Sequence, residues 1–521
     1  SGMGGLTSAA ILAKAGRKVL VLEQHYIAGG NCHTFSEKGY EFDTGLHYLG
    51  GKLGQTGAFS PLRNLMNYVT DNGVEWEKMG DHYDVAVFGT GAAKEEFPMH
   101  ENIKRLIADL KQKFPEDKSA IDKYFRTIRK MQLQVGCLIA SLVLPRWLST
   151  LCRPLSTLFL SLFHTTTLQV ISALTSNKKL IAVLTYIWGD YGEPPGRGAF
   201  GMHGLLIDHY KGGGYYPRGG PETIPRRMIR VIEKGGGKVM VRAPVSEILM
   251  DERGRACGVC VKSLHVFAPT VISAVGAPNT YKKLLPEDFR HKAHEQLEGM
   301  THPDLQPHFS LSSMFIGIKD EHDELQLPTH NIWKFPGTFD HDANAAAFRK
   351  DPTHPFPAVF ISFCSAKDPT YKDRCPGKQA ALVIGPTCYE QVEAWKDERC
   401  MHRSKDYQAV KEELKARMLA SFLEEFPHLK DKIDFVDLGT PVTNDFYLGN
   451  YRGACYGLAH TPQRFRSAWY RPQTPIRNLY LTGQDACFVG IASAMMSGLI
   501  TVGAIDPLLF LRAGAPLMLP Q

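Results

Sequence analysis

The beginning of the chain carries glycines and a carboxylate at a spacing that suits dinucleotide binding. Gly2, Gly4 and Gly5 lie at the start of a run of small and apolar residues (6–16), and a hydrophobic stretch then ends at Glu23. Glycines let the backbone approach a pyrophosphate, a helix N-terminus offers free N–H groups, and an acidic residue at this distance binds ribose hydroxyls. The pattern therefore predicts a helix and then a strand of a Rossmann-like β-α-β unit.

The usual form of this unit also has a strand and a further glycine upstream, where this chain has only Ser1. In a doubly wound sheet that strand is central, and without it neighbouring backbone groups lose their hydrogen-bond partners. We therefore expect that the first nucleotide-binding strand is absent from this chain, and that the chain in this form binds its cofactor poorly.

Two further glycine-rich segments follow Glu23. The first contains Gly29, Gly30 and Asn31, and the second runs from residue 45 to 48 and includes His47 and Tyr48. Such segments are either plain loops or loops that pass the middle of an extended flavin dinucleotide. Because they follow a dinucleotide fingerprint, the sequence favours the second interpretation, with FAD as cofactor and His47 as a weak catalytic candidate.

The C-terminal part contains another pattern that is typical of a cofactor site. A hydrophobic strand (478–482) ends in a turn with Gly483 and Asp485, and a small-residue helix is predicted from Gly490, with Ile491 in its first turn. A helix that begins there would direct the positive end of its dipole at an anion or at the carbonyl region of a flavin. Strands predicted at 238–248 and 271–277 would complete the nucleotide part.

An apolar stretch (135–174) follows a predicted amphipathic helix at 101–130. Pro145, Arg146 and Arg153 interrupt it, and neither uninterrupted half reaches the length of about 20 residues that a membrane span needs. Two interpretations remain, a buried helix pair or a surface that lies on a membrane. In the second, the side chains that enter the lipid boundary would be Trp147, Leu151, Phe159, Leu162 and Phe163.

Composition excludes several classes of protein. The 521 residues are 44% hydrophobic and 22% charged, with a net charge of +7 that is interspersed along the chain, so neither disorder nor nucleic-acid binding is favoured. The eleven cysteines indicate mostly free thiols. Cys257 and Cys260 lie on the returning strand of a predicted hairpin, where packing is favoured over redox or zinc chemistry, and no metal site is predicted.

The predicted fold class is α/β, a Rossmann-like FAD-binding domain with an inserted mixed α+β substrate domain. The predicted boundaries are 1–100 and 206–300 for two parts of the FAD-binding domain, 101–205 for a helical, apolar region that faces substrate or membrane, 301–446 for a mixed substrate domain, and 447–521 for the C-terminal FAD-binding part.

Five segments carry a specific resemblance, which covers nearly the whole chain: 2–6, 23–35, 45–48, 189–192 and 479–485. With them the chain resembles flavoproteins of the carotenoid desaturase and isomerase type, and within that group the members that saturate retinol. The resemblance implies FAD, reduction of the 13,14 double bond of all-trans-retinol to give 13,14-dihydroretinol, and peripheral association with the endoplasmic reticulum membrane.

The resemblance also implies roles for individual residues. Gly2 and Gly5, with Gly4 between them, would meet the pyrophosphate, Glu23 and Gln24 the adenosine ribose, and the Gly29–Asn31 turn the middle of FAD. The adenine would lie by the backbone of Val245, and the ribityl and flavin end would lie near Gly483, Asp485 and Ile491.

Several alternatives stay open. Related amine oxidases have arginine after the paired glycines, whereas this chain has Asn31, which argues against amine oxidation. A carotenoid-type desaturase or isomerase, or a truncated, inactive lipid-binding or regulatory form, would share the same pattern. The electron donor is NADPH, NADH or a redox partner, and Tyr215 and Tyr216 are weak candidates for the pocket wall.

Overall fold

The computed structural model describes residues 1–55, 60–149, 151 and 159–514. In the N-terminal half the helices are α1 (Met3–Lys14), α2 (Pro61–Thr70), α3 (Ile103–Lys113), α4 (Lys118–Val143), α5 (Thr167–Ser172), α6 (Lys178–Leu184), α7 (Phe200–His209) and α8 (Thr223–Lys234). In the C-terminal half they are α9 (Ala277–Asn279), α10 (His294–Gly299), α11 (His322–Leu325), α12 (His341–Lys350), α13 (Cys364–Lys367), α14 (Tyr371–Arg374), α15 (Lys405–Glu425), α16 (Pro441–Leu448), α17 (Pro462–Arg466), α18 (Gly490–Ile505) and α19 (Pro507–Gly514).

The strands fall into one large sheet and several small ones. In chain order they are β1 (Leu20–Leu22), β2 (Thr34–Glu37), β3 (Tyr40–Asp43), β4 (Trp76–Lys78), β5 (His82–Phe88), β6 (Glu95–His100), β7 (Tyr215–Pro217), β8 (Lys238–Met240), β9 (Val245–Met250), β10 (Ala256–Val261), β11 (Leu264–Phe267), β12 (Val271–Ser273), β13 (Ser310–Lys319), β14 (Asn331–Phe335), β15 (Val359–Ser362), β16 (Lys378–Thr387), β17 (Ile433–Gly439) and β18 (Leu479–Leu481).

The nucleotide part is built around α1, whose small residues let it pack closely. An added Cβ at Gly4 would lie 2.7 Å from the backbone N of Gly483, and one at Gly498 on α18 would lie 2.7 Å from the Gly4 carbonyl oxygen. Strand β1 pairs in parallel with β8, and β12 pairs in parallel with β18. The absence of a first strand stays a prediction.

The large sheet is mixed and seven-stranded, in the order β17-β13-β16-β15-β14-β5-β6. Its strands β5 and β6 come from residues 82–100, so the boundary predicted at residue 100 does not follow the sheets. Strand β14 pairs in parallel with β5, which sets Asn331 opposite Asp84. This pairing brings two polar side chains together inside an apolar core.

One predicted helix and one predicted strand are each divided in two in the structure. The helix predicted at 101–130 is divided at Phe114 and Pro115 into α3 and α4, because proline cannot continue the hydrogen bonding of the preceding turn. The strand predicted at 238–248 is divided into β8 and β9, which lie in different sheets. Arg242 between them has a φ of 52°, which an extended strand does not allow.

The predicted hairpin around residues 251–255 is present, with β9 and β10 antiparallel. Cys257 and Cys260 lie on β10, as predicted, and both are free thiols. The cysteines elsewhere in the described ranges are free as well.

The apolar stretch combines buried and exposed side chains. Phe163 is fully buried and contacts the rings of Phe465 and Phe488, so the prediction that it enters lipid is wrong. Trp147 is 67% exposed and Phe159 is 54% exposed, while Leu162 packs partly buried against the core. No helix within the described ranges combines the length and the apolar character needed to cross a bilayer.

Candidate functional site

A single cavity of about 1240 Å³ runs from the N-terminus of α1 to the large sheet. That volume exceeds the roughly 300–1,000 Å³ of most small-molecule sites. Its walls come from both ends of the chain and from the middle, including Gly2, Met131, Trp333 and Gly490. The cavity therefore has room for more than one ligand group in line.

One end of the cavity is a cradle of backbone. Gly2 is the N-cap of α1 and makes no side-chain cap, and there is no acidic residue in the first turn, so the first N–H groups of the helix are available to an anion. Cβ atoms added at Gly2 or Gly483 would meet no protein atom within 4 Å, although both residues line the cavity. The space that these two glycines leave open fits the pyrophosphate of a dinucleotide.

Glu23 lies in this cradle at the end of β1. Its carboxylate accepts hydrogen bonds from the Ser1 hydroxyl (2.6 Å) and from the His25 backbone N–H (2.8 Å). Burial acts to raise the pKa of Glu23, whereas these hydrogen bonds act to lower it, and the net shift is downward. The residue is therefore ionised and suited to accept hydrogen bonds from ribose hydroxyls.

The N-terminus of α18 forms another part of the cavity wall. Val489 is its N-cap and makes no side-chain cap, and the first turn contains no acidic residue. Gly490 has a φ of 85°, which favours glycine, and lines the cavity together with Ile491. The positive end of the dipole of α18 therefore lies at the cavity, which is the direction that the sequence predicted.

Most of the predicted cofactor residues line the cavity. They are Gly2, Gly4, Glu23, Gln24, Gly30, Asn31, Val245, Gly483 and Ile491. Gly30 packs against Gly2, with 3.1 Å between an added Cβ and the Gly2 Cα, so the two glycine-rich segments meet directly. The sequence therefore identified segments that are far apart in the chain and adjacent in space.

Three predicted residues, Gly5, Gly29 and Asp485, lie behind the wall instead. An added Cβ at Gly5 would meet Ala274 at 3.0 Å, and one at Gly29 would meet Pro225 at 2.9 Å. The carboxylate of Asp485 accepts hydrogen bonds from the backbone N–H groups of Ala277 (2.9 Å) and Leu458 (2.8 Å). These three residues hold the wall in shape because their space or their hydrogen bonds are already used by the protein.

Tyr215 and Tyr216, the candidates for the pocket wall, do not line the cavity and instead hydrogen-bond within the protein. Tyr216 donates to the carboxylate of Asp43 at 2.8 Å, and Tyr215 donates to the Gly212 carbonyl at 3.1 Å. The packing alternative is therefore the better interpretation of both residues.

The other end of the cavity is mainly apolar. Its wall contains side chains from α4, α7, the large sheet and the segments just before β13 and α18: Met131, Val135, Ile139, Met202, Leu205, Leu206, Phe309, Leu311, Trp333, Phe360, Ile384 and Phe488. Such a surface binds a long hydrocarbon by burying it from water. The cavity thus joins a dinucleotide cradle to a hydrocarbon site.

His47 lies on the wall but is poorly suited to release a proton. It is largely buried, and this burial, with the nearby Lys367 ammonium, lowers the pKa of His47 to about 3. Its Nδ1 lies 4.0 Å from the Asp43 carboxylate. The imidazole is neutral at neutral pH, so the imidazolium form that would serve as an acid is scarce.

Sequence reasoning missed a buried polar cluster beside His47. Asp190, treated as part of a turn, lines the cavity, and Asp84 and Lys367 lie behind it. Asp84 interrupts the apolar strand β5, and a carboxylate in such a strand is a signal that could have identified it, because a buried charge needs partners. Nothing in the local sequence of Lys367 indicates its burial.

Comparison with known proteins agrees with this geometry. The model of the family described as flavin containing amine oxidoreductase matches residues 3–311. The chain is 39% identical to an all-trans-retinol 13,14-reductase of Macaca fascicularis, over 97% of this chain and 84% of that protein. It is 32% identical, over the same shares, to a Danio rerio protein named inactive all-trans-retinol 13,14-reductase.

More distant proteins share the fold. A prolycopene isomerase of Daucus carota is 25% identical over 99% of this chain and 81% of that protein. The structure of a putrescine oxidase superposes with a TM-score of 0.61 at 15% identity and covers 97% of both chains. A Methanosarcina mazei oxidoreductase reaches a TM-score of 0.60 at 18% identity, over 96% of this chain and 97% of that one.

The predicted fold class, α/β with a Rossmann-like FAD-binding domain, is therefore confirmed. The predicted resemblance to the retinol-saturating members of the carotenoid desaturase and isomerase group is confirmed as well. The chain belongs to the flavin containing amine oxidoreductase family, in the branch of the all-trans-retinol 13,14-reductases.

Proposed function

We propose that this protein is an FAD-dependent oxidoreductase that saturates a C=C bond of a retinol-class polyene, namely the 13,14 bond of all-trans-retinol. The observation that carries the proposal is the continuity of the cavity, which joins a glycine-lined cradle to an apolar chamber. Relatives at 39% identity that are named for this reaction support the choice of substrate.

The proposed cofactor site uses residues that line the cavity. The N-terminus of α1 would bind the pyrophosphate, Glu23 would bind a ribose, and the N-terminus of α18 would lie at the flavin end. When bound, the flavin supplies the two-electron chemistry. The protein's own work is to orient the alkene, exclude water and deliver a proton.

The decisive experiment is the mass of the product. Protein reconstituted with FAD would be incubated anaerobically with all-trans-retinol and dithionite, with flavin-free protein as the control. Saturation adds two hydrogens, isomerisation adds none, and desaturation removes two.

Two outcomes would favour the alternative functions. A product of unchanged mass would favour an isomerase, the activity for which the 25% identical prolycopene isomerase is named. Unchanged retinol with bound FAD would favour an inactive form, as the name of the 32% identical relative suggests.

The physiological reductant is a separate part of the proposal. NADPH and NADH are the proposed donors, with a redox partner as the alternative. Comparison of the rates at which each nicotinamide bleaches the flavin absorbance, with dithionite as reference, would decide between them. Bleaching by dithionite alone would favour a partner.

We also propose that the protein lies on a membrane surface from which its substrate enters. Helix α4 lines the cavity with Met131 and Val135, while Leu133 of the same helix is 77% exposed. Exposed Arg129 and Lys130 precede Leu133 and would suit anionic headgroups. A location at the endoplasmic reticulum stays a prediction.

Replacement of Trp147 and Phe159 together by serine is expected to weaken binding to liposomes by at least about tenfold, because two exposed aromatic rings lose their lipid contact. Sedimentation with liposomes containing anionic lipid measures the change. Phe267→Ser serves as the control, since Phe267 is 72% exposed but lies on β11. Equal binding by both variants and the unchanged protein would contradict the proposed surface.

A further inference from the structure

Two carboxyl groups, one buried and one on the cavity wall, share one phenol beside the apolar chamber. The hydroxyl of Tyr48 lies 3.1 Å from the Asp84 carboxylate and 3.1 Å from the Asp190 carboxylate. A phenol has one proton to donate, so it hydrogen-bonds to only one of the two as a donor. The other carboxyl must carry a proton and donate to the phenol oxygen.

The surroundings decide which carboxyl carries that proton. Asp84 also accepts from the Tyr186 hydroxyl (3.1 Å) and from the Asn331 side-chain amide (2.9 Å), whose oxygen in turn accepts from the Lys367 ammonium. A carboxylate with three donors is stabilised in its charged form. Asp84 is therefore the ionised member and Asp190 the protonated one.

Lys367 supports the assignment of the negative charge to Asp84. Its ammonium also donates to the Ser362 hydroxyl (2.7 Å) and to the His47 carbonyl (2.9 Å), so all three of its protons are used. Burial lowers the pKa of Lys367 to about 8, with nearby carboxylates acting in the opposite direction. The ammonium thus holds Asn331 oriented towards Asp84.

The pKa values follow the same order as the hydrogen bonds. Burial raises the pKa of Asp190 to about 8, and the neighbouring Asp84 acts in the same direction, while hydrogen bonding with Tyr48 and Tyr210 acts in the opposite one. Burial also raises the pKa of Asp84, to about 6, but donation from Asn331, Tyr48 and Tyr186 opposes it.

Asp190 reaches the cavity, whereas Asp84 does not. Asp190 and Tyr48 line the chamber with Trp333, and Asp84 is fully buried behind them. An added Cβ at Gly189 would lie 2.3 Å from the Trp333 ring, so only glycine allows this turn to bring Asp190 against the wall. The other titratable groups that interact with Asp190 are the phenols of Tyr83, Tyr186, Tyr210 and Tyr456.

We propose that Asp190 is the proton donor that completes saturation of the C=C bond, with Tyr48 and Asp84 as positioning residues that keep it protonated. The proposal rests on the proposed function.

Saturation adds a hydride to one alkene carbon and a proton to its neighbour. The hydride and its electron pair come from the reduced flavin, which is oxidised. The new C–H bond to the second carbon forms as the O–H bond of Asp190 breaks, which leaves a carboxylate that regains its proton from solvent water.

The first test uses activity and its pH dependence. Asp190→Asn is expected to reduce turnover by about 100- to 10,000-fold with FAD still bound, as is usual for loss of a general acid, and Asp190→Glu is expected to restore part of it. The rate of the unchanged protein should fall as the pH rises through about 8, because the donor must be protonated. Asp84→Asn should move that fall to lower pH, since removal of the neighbouring negative charge makes Asp190 easier to ionise.

The second test needs no turnover. Infrared difference spectra of the flavin-free protein, titrated in H₂O and D₂O, should show a protonated carboxyl band at pH 7 that is lost in Asp190→Asn and titrates at lower pH in Asp84→Asn. Asp342→Asn is the control, because this carboxylate accepts from the Gly196 N–H (2.8 Å) and does not line the cavity. It should leave the band and the turnover unchanged.

The outcomes separate this proposal from the proposed function. If the unchanged protein yields no dihydroretinol, the proposed function fails, while the infrared band still tests the proton on Asp190. Normal turnover of Asp190→Asn, or a carboxyl difference spectrum that is unchanged in that variant, overturns the proposal; Asp43, whose pKa burial raises to about 7, accounts for a residual band. A pH profile that does not move in Asp84→Asn overturns the positioning role, and it does so even if Asp190→Asn does not fold.

Discussion

Replacement of Gly4 by alanine is expected to weaken the binding of FAD by about 5- to 100-fold. The added Cβ would lie 2.7 Å from the backbone N of Gly483 and 2.9 Å from the Thr482 hydroxyl oxygen, so α1 must move away from the turn after β18. Overpacking of this kind costs about 1–3 kcal/mol, and about 1.4 kcal/mol corresponds to a tenfold change in affinity. The displacement is expected to weaken cofactor binding because Gly4 and Gly483 both line the cradle.

The measurement is the flavin-to-protein absorbance ratio after reconstitution and desalting, beside the thermal unfolding of the flavin-free protein. Gly235→Ala is a matched control, since its Cβ would lie 2.8 Å from Ala13, at the other end of the same helix and away from the cavity. It should lose stability but retain flavin. Equal flavin contents in the two variants would contradict the proposed cradle.

Replacement of Phe163 by alanine is expected to lower the free energy of unfolding by about 3–5 kcal/mol, because a buried ring leaves a cavity behind. The ring is fully buried, and it lies against Gly201, where an added Cβ would be 2.4 Å away. Neighbours held this closely cannot easily collapse into the space. Chemical denaturation followed by circular dichroism measures the change.

Phe159→Ala provides the comparison for that measurement. The residue has the same side chain and lies four positions earlier, but it is 54% exposed, so its replacement should change the stability by less than about 0.5 kcal/mol. If both variants were equally stable, Phe163 would not be a core residue. Liposome binding should show the reverse order, with loss only in the variant of Phe159.

Local patterns were sufficient to predict much of the cofactor site. A small-residue helix after closely spaced glycines, a carboxylate at the end of the next strand, and a second glycine-rich helix start all correspond to parts of the cavity wall at Gly2, Glu23 and Gly490. These features are readable because backbone approach and helix dipoles depend on residue type at fixed spacing. Gly5, Gly29 and Asp485 share the same motifs, yet they face protein rather than cavity.

The faces of the apolar stretch illustrate the limit of such reasoning. Phe159 and Phe163 have the same side chain in the same composition, but one is exposed and the other is covered by Phe465 and Phe488. Which face is covered depends on elements that lie far away in the chain. Composition therefore predicted an apolar surface without deciding which of its residues belong to the core.

The sequence by itself determined the class of cofactor, the family and most of the cradle, because those depend on motifs whose residues are adjacent in the chain. Only the tertiary structure decided the polar cluster of Asp84, Asp190 and Tyr48, which come from β5, from the turn before Tyr191 and from the loop after β3. The proton state of such a cluster depends on burial and on distances between donors and acceptors, and both exist only once the chain is folded.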